Sequence, residues 1–212
     1  IWFETWNGVA AADERRRTLA ELEQAAALAR EELARMPAPA DEVVDAGEEP
    51  RTWDADDPTL DPLTGVLTAD AFADRLAEFE GDEATMLLVD VDAFDDLTRE
   101  WGDSASDAVL RIVLDRMLAS LRRDDVVARV EHDRFAVLLG DVDRSSVIQI
   151  AKRILAQIAE PLPAEVGPSS VTATMALAHQ VGLVDVDEML DSAVAAVASG
   201  QRSGAGKLVL AA

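Results

Sequence analysis

The segment Thr85-Met-Leu-Leu-Val-Asp-Val-Asp92 constrains this chain more than any other. Its apolar run, Thr85–Val91, reads as a short buried strand. Side chains two apart on a strand share a face, so Asp90 and Asp92 emerge together where the strand meets a loop. The covering layers lie on both sides of it in the sequence. Ala69–Glu80 places Phe72, Leu76 and Phe79 on one helical face, and Ser104–Leu121 buries Val109, Ile112, Val113, Met117 and Leu121. Val126–Val130 and Phe135–Leu139 are β-rich runs joined by the polar Glu131-His132-Asp133-Arg134, a hairpin. Helices over Arg144–Glu160 and Val186–Ser199, and strands over Ser170–Ala178 and Lys207–Leu210, complete the series. The order βαββαβ, with additions, predicts an α+β fold: a central sheet flanked by helices.

Composition sets the surroundings of that domain. Forty-two acids against 19 bases leave a net charge of −23. Such a surface repels phosphate backbones, so nucleic acid is not an expected partner. The absence of cysteine removes disulfides, thiolate nucleophiles and cysteine metal sites, and only His132 and His179 remain for imidazole chemistry. Residues 1–36 read as one helix in which Leu19, Leu22, Ala26, Ala29, Leu33 and Met36 form a heptad seam. That helix either docks on its own domain or makes a coiled-coil stalk and a homodimer. Ile1, Trp2, Phe3 and Trp6 form an apolar-aromatic cluster that suits simple packing or the inner edge of an upstream membrane span. Residues 37–60 hold four of the eight prolines and eight acids against Arg51 alone, the composition of a solvated linker. The domain is expected over 61–212, in the cytoplasm, with membrane contact only through an upstream segment.

Hard carboxylate oxygens such as those of Asp90 and Asp92 suit magnesium. By itself, an Asp-x-Asp in an acidic protein is better explained by a solvated strand end. Asp133 of the hairpin is a third acid that reaches the same place if its strands lie beside the Asp90 strand.

The ordered motifs make the domain resemble the GGDEF family, the diguanylate cyclase module that joins two GTP molecules into cyclic di-GMP. Asp61-Pro-Leu-Thr-Gly65 is similar to its entry signature D-x-L-T-G, and Asp90-Val-Asp-Ala-Phe94 to D-I-D-x-F. Gly102 through Asp107 and Leu110 follows G-H-x-x-G-D-x-x-L. Arg129-Val-Glu-His-Asp-Arg-Phe135 falls where R-x-G-G-D-E-F belongs, and Val171–Ala178 resembles V-T-x-S-I-G-x-A. The resemblance implies a metal held by Asp90 and Asp133.

The departures fall on the chemistry that the resemblance implies. Glu131 and His132 stand where two glycines let backbone approach the nucleotide, and any Cβ intrudes there. His132 tolerates positive φ, so the hairpin is expected to survive as a turn. Arg134 replaces an acid, and Phe135 is retained. The family's phosphate-contacting lysine is Asp95, and its guanine-reading asparagine is Thr98; Asp107, the partner of that asparagine, is kept. The late lysine and tyrosine become Ala198 and Ala195. From these losses the chain is expected to be no enzyme, a pseudoenzyme with no catalytic residues. Asp90, Phe94, Asp95, Thr98 and Asp107 would be a vestigial nucleotide site needing no cofactor beyond a magnesium ion at Asp90 and Asp133.

One further family feature is in register. Arg122-Arg-Asp-Asp125 precedes the hairpin at the spacing of the family's product-binding R-x-x-D, and Arg153 stands where a further arginine completes that site. Arginine forks pair bidentately with phosphate and guanine edges, and an aspartate accepts from guanine N–H groups. Arginines at a helix end also complement its dipole, and aspartate before a strand is a common turn residue. The resulting expectation is a cyclic di-GMP receptor through Arg122, Asp125 and Arg153, or a protein-interaction module. The alternatives are a dimerisation scaffold with no nucleotide, and a weak cyclase or GTP-binding regulatory domain.

Overall fold

A computed structural model of the chain describes residues 54, 56–79, 83–140, 142, 144–182 and 184–211. The expected helix over 1–36, its coiled coil and aromatic cluster, and nearly all of the 37–60 linker lie outside the described residues. The elements run β1 (Leu67–Thr68), α1 (Ala69–Ala77), β2 (Glu83–Val91), α2 (Phe94–Trp101), α3 (Asp103–Leu118), β3 (Val126–Glu131), β4 (Arg134–Leu139), α4 (Arg144–Ile158), β5 (Ala173–Val181), α5 (Val186–Arg202) and β6 (Leu208–Leu210).

Among the described residues these strands make one mixed sheet in the order β1-β3-β4-β2-β5-β6. Strand β2 is central and antiparallel to both β4 and β5, while β1 pairs parallel with β3 and β6 parallel with β5. Its side chains alternate between two cores. Leu87, Val89 and Val91 face α2, α3 and α4 together with Phe135, Val137 and Met175. Ala84, Met86 and Leu88 face α1 and α5, against Phe72, Leu76, Met189 and Val197. Both faces are covered, which is why β2 reads as a continuous apolar run. The even positions continue past Leu88 to Asp90 and Asp92, so both acids end the strand on the α5 side.

The expected α+β fold holds, with local corrections. Strand β5 covers Ala173–Val181, not Ser170–Ala178, because its ladder with β2 runs from Val91↔Ala173 to Glu83↔Val181. The helix expected to end at Leu121 stops at Leu118, and its last carbonyls accept from the amides of Ala119, Ser120 and Leu121. Helix α2 and strand β1 were not anticipated. Phe94, Leu97 and Trp101 stand at helical spacing, but over only eight residues, and Trp101 closes this short helix. Gly102, at φ 82°, turns the chain directly into α3. Helix α5 continues through Gly200, where a Cβ would stand 2.9 Å from Thr174 Cγ2 and 3.0 Å from Val209 Cγ1. That close approach seats the end of α5 on β5 and β6, above the two acids.

Candidate nucleotide and metal site

Antiparallel register sets Arg134 directly opposite Asp90 across β4 and β2. The Arg134 Nε donates to Asp90 Oδ2 at 2.5 Å, and Gln201 Nε2 from the end of α5 donates to Oδ1 at 2.5 Å. Asp90 is 3% exposed, so its charge is compensated inside the protein rather than by water. The other branch of the guanidinium, Nη1, donates to the exposed Glu131 at 2.5 Å.

Asp92 is used differently. Its Oδ2 accepts from Thr172 Oγ1 at 2.8 Å and from the Gly206 amide at 2.8 Å, and its Oδ1 accepts from Thr174 Oγ1 at 2.7 Å. Burial pushes its carboxyl above the ordinary range, against the hydrogen bonds from Thr174, Thr172 and Gly206 that pull it down. The two acids two apart on one face therefore part company. Asp92 anchors β5 and the turn before β6, and is not directed to a shared metal position.

Asp133 lies where the expectation put it, beside the end of β2, its carbonyl accepting from the Val91 amide at 3.1 Å. Burial, and next the charge of Asp90, push its carboxyl above the ordinary range. The magnesium site implied for Asp90 and Asp133 does not fit the residues as they stand. Both Asp90 oxygens are already in use, and a guanidinium faces the carboxylate that would bind the ion. Among the described residues no group of three or more His, Asp or Glu side chains is arranged to hold a metal.

Where the resemblance implies an open notch, His132 packs edge-on against Phe94, with ring centroids 5.1 Å apart at 75°. The turn needs no left-handed residue at Glu131 or His132. Among the described residues Ala93 is the non-glycine at positive φ, 55°, and it opens α2. The hairpin survives as a turn, as expected, but without positive φ at His132: His132 and Asp133 form the turn between the paired Glu131 and Arg134, after a bulge between Arg129 and Glu131. Arg129 ties this turn to the entry motif, donating to the His132 carbonyl at 2.6 Å and reaching Asp61 at 3.4 Å. Asp95 and Asp107 are placed on α2 and α3, and Thr98 on α2 keeps a buried Oγ1 without a hydrogen-bond partner.

The second cluster stands at the far end of α3. Asp125 Oδ2 accepts from the Arg122 amide at 2.7 Å, and its Oδ1 accepts from the Gly140 amide at 3.3 Å, which fixes the turn between α3 and β3. Arg153 reaches over from α4 and donates through Nη2 to the Ser120 carbonyl at 2.8 Å. Its Nε is buried without a hydrogen-bond partner. Burial, and then the nearby positive charge of Arg122, hold this guanidinium below its ordinary value. The structure thus brings Arg122, Asp125 and Arg153 together.

Gln201, Gly206, Thr172 and Thr174 escaped the sequence reading. The alternation Thr172-Ala-Thr174 was the available signal, since it matches the period of Asp90 and Asp92 on the neighbouring strand.

Residues 59–207 match the family described as "Diguanylate cyclase, GGDEF domain". Over 158 residues the chain is 27% identical to the probable diguanylate cyclase DgcT of Escherichia coli, an alignment covering 71% of this chain and 35% of that protein. The chain therefore spans about a third of that relative's length. The structure of the diguanylate cyclase SiaD in complex with its activator SiaC, from Pseudomonas aeruginosa, superposes with a TM-score of 0.66 at 26% identity, covering 73% of this chain and 62% of that one. The GGDEF domain of DgcB from Caulobacter crescentus, in complex with cyclic di-GMP, shares the fold with a TM-score of 0.66 at 22% identity, over 73% of this chain and 96% of that one. These findings overturn the expectation of a chain that is no enzyme: the family it matches, and the relatives it resembles, are named for catalysis. Among the described residues no helix is long and apolar enough to cross a membrane.

Proposed function

Because the chain belongs to the GGDEF family of diguanylate cyclase domains, we propose that it is a cyclic di-GMP signalling domain that binds the cyclic dinucleotide at Arg122, Asp125 and Arg153. The observation that carries this reading is the buried Arg153 Nε, an unsatisfied donor beside a second guanidinium. A buried donor without an acceptor costs about 1–3 kcal/mol, and two neighbouring cations add repulsion. A dianionic ligand with planar acceptor edges relieves both, since arginine forks match phosphate and guanine acceptors bidentately. Asp125 fixes the turn on which Arg122 is mounted, so the site is largely formed before the ligand arrives. The relative whose structure is described as a complex with cyclic di-GMP supports the ligand class.

Calorimetric titration of cyclic di-GMP into the full chain tests this. Binding in the micromolar range or tighter is expected, weakened by about tenfold or more in Arg153→Ala and in Arg122→Ala, in line with about 1.5–3 kcal/mol for a hydrogen bond to a charged group. Absence of heat at high ligand concentration from a folded protein overturns the reading.

Formation of cyclic di-GMP from GTP is a second reading, favoured by the match of residues 59–207 to the diguanylate cyclase family and by relatives named for that activity. Its expected signature is product on incubation with GTP and magnesium, abolished by Asp90→Ala. Product that persists in that variant assigns the chemistry elsewhere.

A further inference from the structure

The end of α3 and the last turn of α4 are tied together by polar side chains that the strand-end acids and the hairpin do not touch. Arg116 on α3 collects the carbonyls at and just beyond the end of α4. Its Nη1 donates to those of Ile158 and Glu160, each at 2.8 Å, and its Nη2 to that of Pro161 at 2.7 Å. Carbonyls at a helix end have no partner within the helix, so this guanidinium fixes where α4 stops against α3. Gln157 lies in the turn so fixed. Ser120, 3% exposed in the turn after α3, donates through Oγ to Gln157 Oε1 at 2.5 Å. The Ser120 carbonyl accepts from Arg153 Nη2 at 2.8 Å, and Arg153 stands one turn before Gln157 on α4. The contacts thus close a ring across the two helices: Gln157 to Ser120, Ser120 to Arg153, and Arg153 back to Gln157 along α4.

We propose that Gln157 is a positioning residue for the cyclic dinucleotide site: through Ser120 it sets the carbonyl that holds Arg153, and so presents that guanidinium to the ligand in one orientation. The inference rests on the reading of Arg122, Asp125 and Arg153 as that site. Neither Ser120 nor Gln157 carries a charge to offer a phosphate, so their contribution is geometric. An arginine side chain loses much rotamer freedom when it is fixed, and affinity rises where that ordering precedes binding. Arg153 most requires such a hold, because its Nε is buried without a hydrogen-bond partner and the charge of Arg122 lies near it. Repulsion between the two guanidiniums drives Arg153 away, and the Ser120 carbonyl opposes that displacement. The hydroxyl bond to Gln157 keeps the carbonyl in place, and Arg116 keeps Gln157 in register with it.

The test is a double-mutant cycle on cyclic di-GMP affinity, measured by calorimetry on the full chain, with the NMR signal of the Arg153 Nε–H as a second readout. Gln157→Leu is expected to weaken binding about fivefold, the scale of one net hydrogen bond. In the Arg153→Ala background the same substitution is expected to change nothing further, because its effect passes through Arg153. A merely structural role would weaken both backgrounds alike. Without ligand, the Arg153 Nε–H signal, assigned by its loss in Arg153→Ala, is expected to exchange slowly in the native chain and to shift in Gln157→Leu. Binding that is lost in Arg153→Ala but unchanged in Gln157→Leu overturns the positioning role and leaves the site standing. No heat from the native chain overturns the site itself, and an Nε–H signal unmoved by Gln157→Leu then overturns the positioning as well. If Gln157→Leu does not fold, Ser120→Ala takes its place: it removes the hydroxyl and keeps the carbonyl, so the same weakening and the same shift are expected, and native values for both overturn the proposal.

Discussion

Asp92→Ala is expected to destabilise the domain by about 3–5 kcal/mol, because it removes a buried acceptor from three donors at once. Thr172 Oγ1, Thr174 Oγ1 and the Gly206 amide all point at this one carboxylate. The threonine hydroxyls can rotate toward other acceptors, but the amide of Gly206 is fixed by the backbone before β6. Leaving a buried donor unsatisfied costs about 1–3 kcal/mol, and the void left by the carboxyl adds to it. Burial raises the carboxyl's proton affinity, but the losses on deletion arise from the donors, not from the charge. Asp92→Asn is therefore expected to recover only part of the loss. Its oxygen still accepts, while its NH2 group faces donors and finds no partner among them. Chemical denaturation of the full chain measures both variants; a loss below about 1 kcal/mol for Asp92→Ala would show that these donors have other acceptors.

The legible and illegible parts of this molecule divide along physical lines. Strand β2, the hairpin and the long helices were readable because their apolar patterns extend over two or more turns or pleats. Strand β1 has two residues, too few for any pattern, whereas α2 does place Phe94, Leu97 and Trp101 at helical spacing, a signal confined to eight residues and overlooked for its shortness. Asp90 and Asp133 were placed correctly at one end of the sheet from the hairpin geometry and the family resemblance. What their side chains touch was not readable. Gln201 lies 111 residues from Asp90 in sequence, and Gly206 lies 114 from Asp92. Arg134 could be seen to replace an acid, yet its place opposite Asp90 depends on the antiparallel register of β2 with β4, which pairs residues 44 apart in sequence. Reading the altered hairpin as a lost enzyme also went too far. Substitutions in a loop speak to particular contacts, whereas the family match over 59–207 speaks to the whole domain.

Phe135, next to Arg134 near the start of β4, carries the second large effect. Phe135→Ala is expected to cost about 3–5 kcal/mol, the range for removing a buried phenyl ring. Phe135 is fully buried and pairs across the sheet with Val89 on one side and Arg129 on the other. Alternation along β4 points Phe135 into the α2–α3–α4 core while its neighbour Arg134 points to Asp90. Loss of the ring therefore loosens the anchor on which the Arg134–Asp90 pair is mounted. His132, three positions earlier, offers the contrast. It is exposed, and its contact with Phe94 is a single edge-on ring pair, worth about 0.5–1.5 kcal/mol beyond the area it covers. His132→Gly is thus expected to cost far less stability while uncovering the Phe94 ring. Measured together by denaturant unfolding, the two variants separate the halves of this hairpin. If Phe135→Ala costs no more than His132→Gly, the core side of the turn does not hold it in place, and its shape must come from the Arg129 and Arg134 contacts instead.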